Sequence, residues 1–472
     1  MVFSSPVFLF LFLPLTLLLV WLAGSRSAQN TVLLFASLVF YAWGEAGYVF
    51  LMLASIAMNH LVAFAMERSG HARVWLAVGV VLNLATLTWF KYASFLLDGW
   101  NGLTALLGAA PITLPPVDLP LGVSFFVFHS ISYLVDIHRG KATAQHDPKI
   151  TALYITLFPQ LVAGPIVRYR DVARQFTERV LSVGTFTSGV QRFVVGLSKK
   201  LLIADECARI ADGIFALPSN EVNAAVGWLG AVAYAIQIYF DFSGYSDMAI
   251  GLGRMFGFEF LENFNRPYIA RSLREFWKRW HISLSNWFRD YLYIPLGGDR
   301  NGVVRTYLNL FIVFFLTGLW HGASWSFVVW GMLHGCVMVV ERLGFDKILS
   351  RAPRILSHAY LLLVVLVSWI FFRVTDITSA WRFVQGMFGV APTGPIPHHA
   401  DFYLTTSTVL ALGIGIAGAL DLHRPILDRV VLSTTGSAIV HRARTMAILL
   451  LFVLCAMSVA NSAHSPFIYF RF

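Results

Sequence analysis

The sequence predicts an all-α protein that crosses a membrane many times. Hydrophobic residues make up 57% of its 472 positions and charged residues only 13%. Its mean hydropathy is +0.68, far above that of a soluble globular chain. Apolar blocks recur along it, each about as long as the roughly 20-residue helix that spans a bilayer. Counted with the shorter blocks, they predict roughly 11–13 transmembrane or re-entrant helices in one integral membrane domain over residues 1–472. No internal repeat, low-complexity tract or soluble domain interrupts them.

The first block, "PVFLFLFLPLTLLLVWLAG", has no cationic run before it and no small-residue cleavage site before Arg26, so it reads as a retained span. With the N-terminus outside, the loop holding Arg26 lies inside, "GEAG" outside, "ERSGHAR" inside, the stretch from Asp98 to Asp118 outside and "HRGKATAQHDPK" inside. This order follows the positive-inside rule. "ITALYITLFPQLVAG" is short for a span and carries a central proline, which suits a re-entrant or partly unwound segment buried in protein. The polar stretch from Glu262 to Arg305 carries eight arginines and lysines and reads as cytoplasmic. Beyond it, "YLNLFIVFFLTGLW" and "SWSFVVWGMLHGCVMVV" form a hairpin turning at "HGA". Three further apolar blocks lead to an outside tail, "NSAHSPFIYFRF".

Several function classes lose support. Cys207, Cys336 and Cys455 lie far apart and suggest neither disulfides nor a metal site. The net charge of +10 is spread between apolar blocks, as cytoplasmic loops require, and does not point to nucleic acid. No G-x-S-x-G, Walker A or H-E-x-x-H pattern occurs, and "GLGRMFG" lacks dinucleotide spacing. The adjacent His398 and His399 read as a surface loop.

Candidate chemistry begins at "LTGLWHGASW". From Tyr307 to Trp320 a helix rises about 21 Å against a hydrocarbon core of roughly 30 Å, so His321 stops inside the membrane. An ionisable residue there is either functional or a histidine bonded to a backbone carbonyl as packing glue. The stretch "SLREFWKRWHISLSNWFRDYLY" projects as an amphipathic interfacial helix. Leu273, Phe276, Trp277, Trp280, Leu284, Trp287 and Tyr291 share one arc, and Arg274, Lys278, His281, Ser285 and Arg289 fall on the opposite line. The basic face suits anionic headgroups, a phosphorylated acyl donor, or both. Neighbouring cations should lower the pKa of His281 and leave it able to accept a proton. In "DFSGYSDMAIG", Asp241, Ser243, Tyr245 and Asp247 concentrate polarity at the end of an apolar span, where carboxylates must be paired, hydrated or lining a cavity.

The long run from "YFDFSGYSDMAIG" through "RSLREFWKRWHISLSNWFRDYLYIPLGG", with "FPQLVAGPIVRYRD", "GLWHGASWSFVVWGMLHG" and "SWIFFRVTDITSAWRF", resembles the membrane-bound O-acyltransferases, in their bacterial polysaccharide-acetylating branch. The likeness is densest over about residues 85–345, with additional C-terminal helices over 346–472. It thins between Phe383 and Asn461. The resemblance implies a ring of helices around a tunnel, with His321 catalytic and His281 as the second functional histidine. The residues themselves make Arg274, Lys278, Arg289, Asp241, Ser243, Tyr245, Asp247 and Trp320 candidates for donor binding or tunnel lining. The resemblance also implies an acetyl-CoA or acyl carrier thioester donor on the cytoplasmic side of a bacterial inner membrane, with no bound cofactor. A periplasmic acetyltransferase partner and an exported polysaccharide such as alginate would receive the acetyl group. One neutral imidazole can serve as the base that a hydroxyl attacking a thioester needs. A transporter or flippase, a scaffold for an outer-face acetyltransferase, and peptidoglycan as the acceptor stay open.

Overall fold

A computed structural model describes residues 1–115, 117–390, 399–422, 434–461 and 467, with side chains except at 434–441. Among the described residues every regular element is helical. Seven helical segments are long and apolar enough to cross a membrane, and three shorter ones are apolar. The chain is therefore an all-α polytopic membrane protein. Phe10, Leu22, Phe35, Phe50 and Leu61 are exposed on these helices. In water such surfaces would aggregate, whereas in a bilayer they face lipid.

By its internal contacts the chain divides into two compact units, Met1–Val190 with Ala249–Leu261, and Gln191–Met248 with Glu262–Phe472. The first unit opens with α1 (Phe8–Leu22), α2 (Arg26–Glu45), α3 (Val49–Arg68), α4 (Ala72–Ala105) and α5 (Val123–His138). Phe3, Phe8, Phe40 and Phe158 are buried together in its core. Asn59 of α3 and Asn83 of α4 bond to each other, each amide satisfying the other away from water.

The short segment after α5 does break. Helix α6 (Pro148–Thr156) ends at Leu157, a one-turn helix covers Phe158–Leu161, and irregular backbone follows, all of it buried from Leu153 to Val167. Side chains satisfy the freed backbone: Ser37 accepts from the Phe158 amide at 3.1 Å and the Tyr154 hydroxyl donates to the Val167 carbonyl at 3.0 Å. Irregular backbone persists within a membrane protein only where protein groups replace its lost bonds.

The second unit holds the catalytic candidates. Helix α7 (Val183–Ser198), of which Gln191–Ser198 lie in this unit, passes through a wider turn at Lys199–Ala204 into α8 (Asp205–Phe215), and Gly196 of α7 packs against Gly244 of α9 (Ala224–Met255), which belongs to this unit as far as Met248. The long polar stretch carries α10 (Leu273–Trp277) and α11 (Ile282–Phe288). The hairpin is α12 (Val303–His321) and α13 (Trp325–Val340), and α14 (Arg354–Arg373) follows. Helix α12 starts four residues before Tyr307, and its 19 residues rise about 28 Å, close to the thickness of the hydrocarbon core. The surrounding protein, more than an early stop in the helix, therefore sets the environment of His321.

The hairpin's closeness has a specific cause. A Cβ on Gly318 would lie 2.4 Å from the Phe327 carbonyl, and one on Gly331 would lie 2.3 Å from the Phe314 carbonyl. Only hydrogen fits at either place, so the two backbones meet there as small-residue helix crossings do. That contact holds the end of α12, where His321 sits, against the middle of α13.

Candidate active site

The stretch read as one amphipathic helix is two short helices. His281 interrupts it with φ +42, in the left-handed region. Such a conformation costs a non-glycine residue about 1–3 kcal/mol and persists only where its surroundings impose it. The aromatic arc is real, with Leu273, Phe276, Trp277, Trp280, Leu284 and Trp287 all buried in protein. The polar line is broken. Arg274, Lys278 and Arg289 are exposed while His281 is fully buried.

Two carboxyl or amide groups impose this path. The Glu341 carboxylate accepts from the Leu273 amide at 2.7 Å and the Arg274 amide at 3.0 Å, which pins the start of α10. Asn263 holds the far end, its carbonyl accepting the Ile282 amide at 2.9 Å. Its side-chain oxygen receives the Ser283 amide at 3.2 Å, the Ser283 hydroxyl at 2.9 Å and His281 Nδ1 at 3.1 Å. The Asn263 amide nitrogen donates to Ser246 at 3.1 Å.

This geometry defines the state of His281. Because the Asn263 oxygen can only accept, Nδ1 of His281 carries the proton and Nε2 presents its lone pair. That Nε2 is buried with no hydrogen-bond partner among the described residues. Burial pushes the His281 pKa down to about 3, so the ring is neutral at physiological pH. The direction matches the sequence expectation, but the cause is desolvation and not neighbouring cations.

Rings connect His281 to His321. His281 packs edge-on against Phe242 at 4.7 Å and lies 6.2 Å from Trp320. Trp320 lies 5.0 Å from His321, which also meets Trp330 at 5.1 Å and Phe372 at 5.0 Å. Both histidines are buried. Trp330 continues to a third, His334, at 4.9 Å. Five rings thus alternate imidazole with indole.

Beside this cluster lies a cavity of about 280 Å³. Arg274, Arg289 and Arg342 contribute to its lining, and Trp277, Phe314 and Thr317 give it an apolar wall. Lys278 does not line it. Nor do Asp241, Ser243, Tyr245 and Asp247, which α9 places elsewhere. Asp241 pairs with Lys200 at 2.9 Å, and Lys200 also bonds Asp205 at 2.7 Å. Asp247 accepts from Arg192 and Lys199, each at 2.7 Å, and Arg192 forks onto Glu262. Burial works against the charge on Lys200, but Asp241 and Asp205 outweigh it and raise its pKa. Tyr245 stacks on Phe467 at 4.6 Å, and the Ser243 hydroxyl is buried without a hydrogen-bond partner among the described residues. Of the adjacent loop histidines, His399 is exposed and His398 lies outside the described residues.

Sequence reasoning missed Asn263, Glu341 and His334. The first two carried no signal, since their roles depend on partners 20 and 68 residues away. His334 did carry one, because the rule that an ionisable residue within a span is functional by default selects it as readily as His321.

Buried neutral imidazoles beside a cavity with apolar and cationic lining suit group transfer within a membrane. The chain belongs to the membrane-bound O-acyltransferase family, whose model matches residues 35–378. It is an acyltransferase. It is 42% identical to the "Probable alginate O-acetylase AlgI" of Pseudomonas putida and 41% identical to the protein of the same name from Azotobacter vinelandii, with all of both chains covered in each comparison. It is 35% identical to the "Peptidoglycan O-acetyltransferase" of Helicobacter pylori, over 83% of this chain and 80% of that one.

Proposed function

We propose that this enzyme takes acetyl groups from a cytoplasmic thioester and passes them across a bacterial inner membrane for O-acetylation of exported alginate. The observation that carries the reading is the cavity beside the histidine cluster. A pantetheine thioester, whether from acetyl-CoA or from an acyl carrier protein, joins an anionic end to a long uncharged arm. Guanidinium groups suit its phosphate and the apolar wall suits its arm. The acceptor follows from the two relatives matched along their whole length, both printed as alginate O-acetylases.

In this reading His321 is the general base. It removes the proton of the incoming hydroxyl as that oxygen attacks the thioester carbonyl carbon, and returns the proton to the departing thiolate. A positioned histidine contributes about 10²- to 10⁴-fold, and holding the reactants together contributes more. His281, with its low pKa and bare Nε2, stays neutral and orients a donor or acceptor N–H or O–H by accepting its hydrogen bond. A periplasmic acetyltransferase is the expected carrier of the acetyl group to polymer.

The test is acetyl transfer by purified protein in proteoliposomes, from labelled acetyl-CoA outside to alginate oligosaccharides and peptidoglycan fragments inside, with the periplasmic partner added in a second set. Label on the oligosaccharide that disappears in His321→Asn supports the reading. Full transfer by that variant overturns the base assignment, and label on peptidoglycan fragments alone transfers the proposal to the other acceptor. Release of label only when the partner supplies its own catalysis would leave this chain a scaffold.

A further inference from the structure

We propose that His334 is a further catalytic residue, donating its Nε2–H to the carbonyl oxygen of the thioester. The inference rests on the acyl-transfer reading above and assigns the group that stabilises the negative charge which His321, as a base, creates.

Three observations lead to it. The Trp277 indole N–H, which can only donate, lies 3.2 Å from His334 Nδ1. Nδ1 is therefore the acceptor, and the proton of the neutral ring sits on Nε2. His334 is wholly buried, and that Nε2 has no hydrogen-bond partner among the described residues. A buried N–H aimed at no protein acceptor is uncommon and requires an explanation. Finally, the ring lies between the two places a donor must connect. Its partner Trp277 and its stacked neighbour Phe314, at 6.3 Å, both line the cavity. His334 and His321 also pack on the same indole, Trp330. On this proposal the thioester arm runs from the cavity past His334 toward His321.

The chemistry needs such a donor. When the hydroxyl oxygen bonds to the thioester carbon, the C=O π pair moves onto oxygen. The Nε2–H of His334 holds that oxyanion, and the pair returns as the C–S bond breaks and the thiolate leaves with the proton held by His321. His334 gives up no proton, so it acts as a fixed dipole in a dry site, where such donors are most effective. Trp277 is its positioning residue, since the indole N–H selects the tautomer.

The experiment compares His334→Leu, which removes the donor, with His334→Gln, which keeps an N–H, using His321→Asn as the reference variant. Turnover is measured with acetyl-CoA and, in a separate arm, with acetylated acyl carrier protein, to distinguish the two donor sources. Binding is measured with two unreactive CoA analogues: acetonyl-CoA, which keeps the carbonyl, and S-ethyl-CoA, which lacks it. His334→Leu should lower kcat by about 10²- to 10³-fold with KM within about threefold, and His334→Gln should recover at least about tenfold of that loss. The leucine variant should lose the wild-type preference for acetonyl-CoA over S-ethyl-CoA. Three results would overturn the proposal: leucine turnover near wild type while His321→Asn is inactive, equal weakening of both analogues, or a wild type with no preference between them. Normal turnover by His321→Asn would instead remove the base assignment beneath it. Should the leucine variant fail to fold, His334→Gln and Trp277→Phe carry the same analogue comparison. A preference that falls in Trp277→Phe and persists in His334→Gln then supports the donor, an unchanged preference in Trp277→Phe overturns it, and loss of folding in all three reduces His334 to packing.

Discussion

Two groups of buried polar side chains in the second unit follow opposite plans. Along α9, Asp241 and Asp247 meet lysine and arginine partners at 2.7–2.9 Å, and the ion pairs hold α7 and α9 together. Around α12 and α13 the polar groups are neutral and half committed. His281 and His334 each spend one ring nitrogen on protein and leave the other buried without a bond among the described residues. Ion pairing suits a scaffold, because its charges are already matched. A neutral ring with one nitrogen fixed and one open suits a ligand, because binding completes the bonding.

The sharpest way to break this comparison is at the base. His321→Asn should lower kcat by about 10²- to 10⁴-fold while the protein remains folded, as acetyl transfer and thermal unfolding in detergent would show. Lys200→Met should do the reverse. It removes the cation that pairs buried Asp241 with Asp205 and should cost about 3–5 kcal/mol of stability with activity per folded molecule retained. Lost activity in a stably folded Lys200→Met would place Asp241 in the catalytic machinery after all.

Gly331→Ala tests the hairpin contact that links the two faces of the site. Its methyl has no room beside the Phe314 carbonyl, so about 1–3 kcal/mol of destabilisation is expected, together with a lower kcat as His321 shifts from Trp330. A pH titration sharpens the neutral-ring side. With His281 depressed to about 3 in the fold and near 6.5 when unfolded, the unfolded state binds the extra proton between those values. Stability should therefore fall as pH drops below about 6.5, by at most about 1.4 kcal/mol per unit, and the unfolding midpoint of His281→Asn should be less acid-sensitive. The smallest effect belongs to the exposed cations. Arg289→Ala should raise the donor KM a few-fold, and added salt should shrink the difference.

Much of this was legible without coordinates. The spans, the broken segment near Pro159, and His321 as an ionisable residue beside an apolar run all follow from local composition. The amphipathic projection placed the buried aromatic arc correctly and then failed at His281, because periodicity assumes an unbroken helix and cannot register one left-handed residue. The acidic residues of α9 had to be paired, hydrated or lining a cavity, and only the lysines and arginine on α7 and the turn after it decided for pairing.

By itself the sequence determined what the solvent dictates: which segments belong in lipid, and which polar residues must find partners there. Hydrophobic burial and the cost of an unpaired charge act on each residue according to its own chemistry, so they can be read along the chain. The tertiary structure decided the rest. It chose Asn263 to orient His281, Trp277 to set the tautomer of His334, and two glycines to bring His321 against Trp330. Hydrogen bonds and close packing depend on positions a few tenths of an ångström apart, between residues distant in the chain.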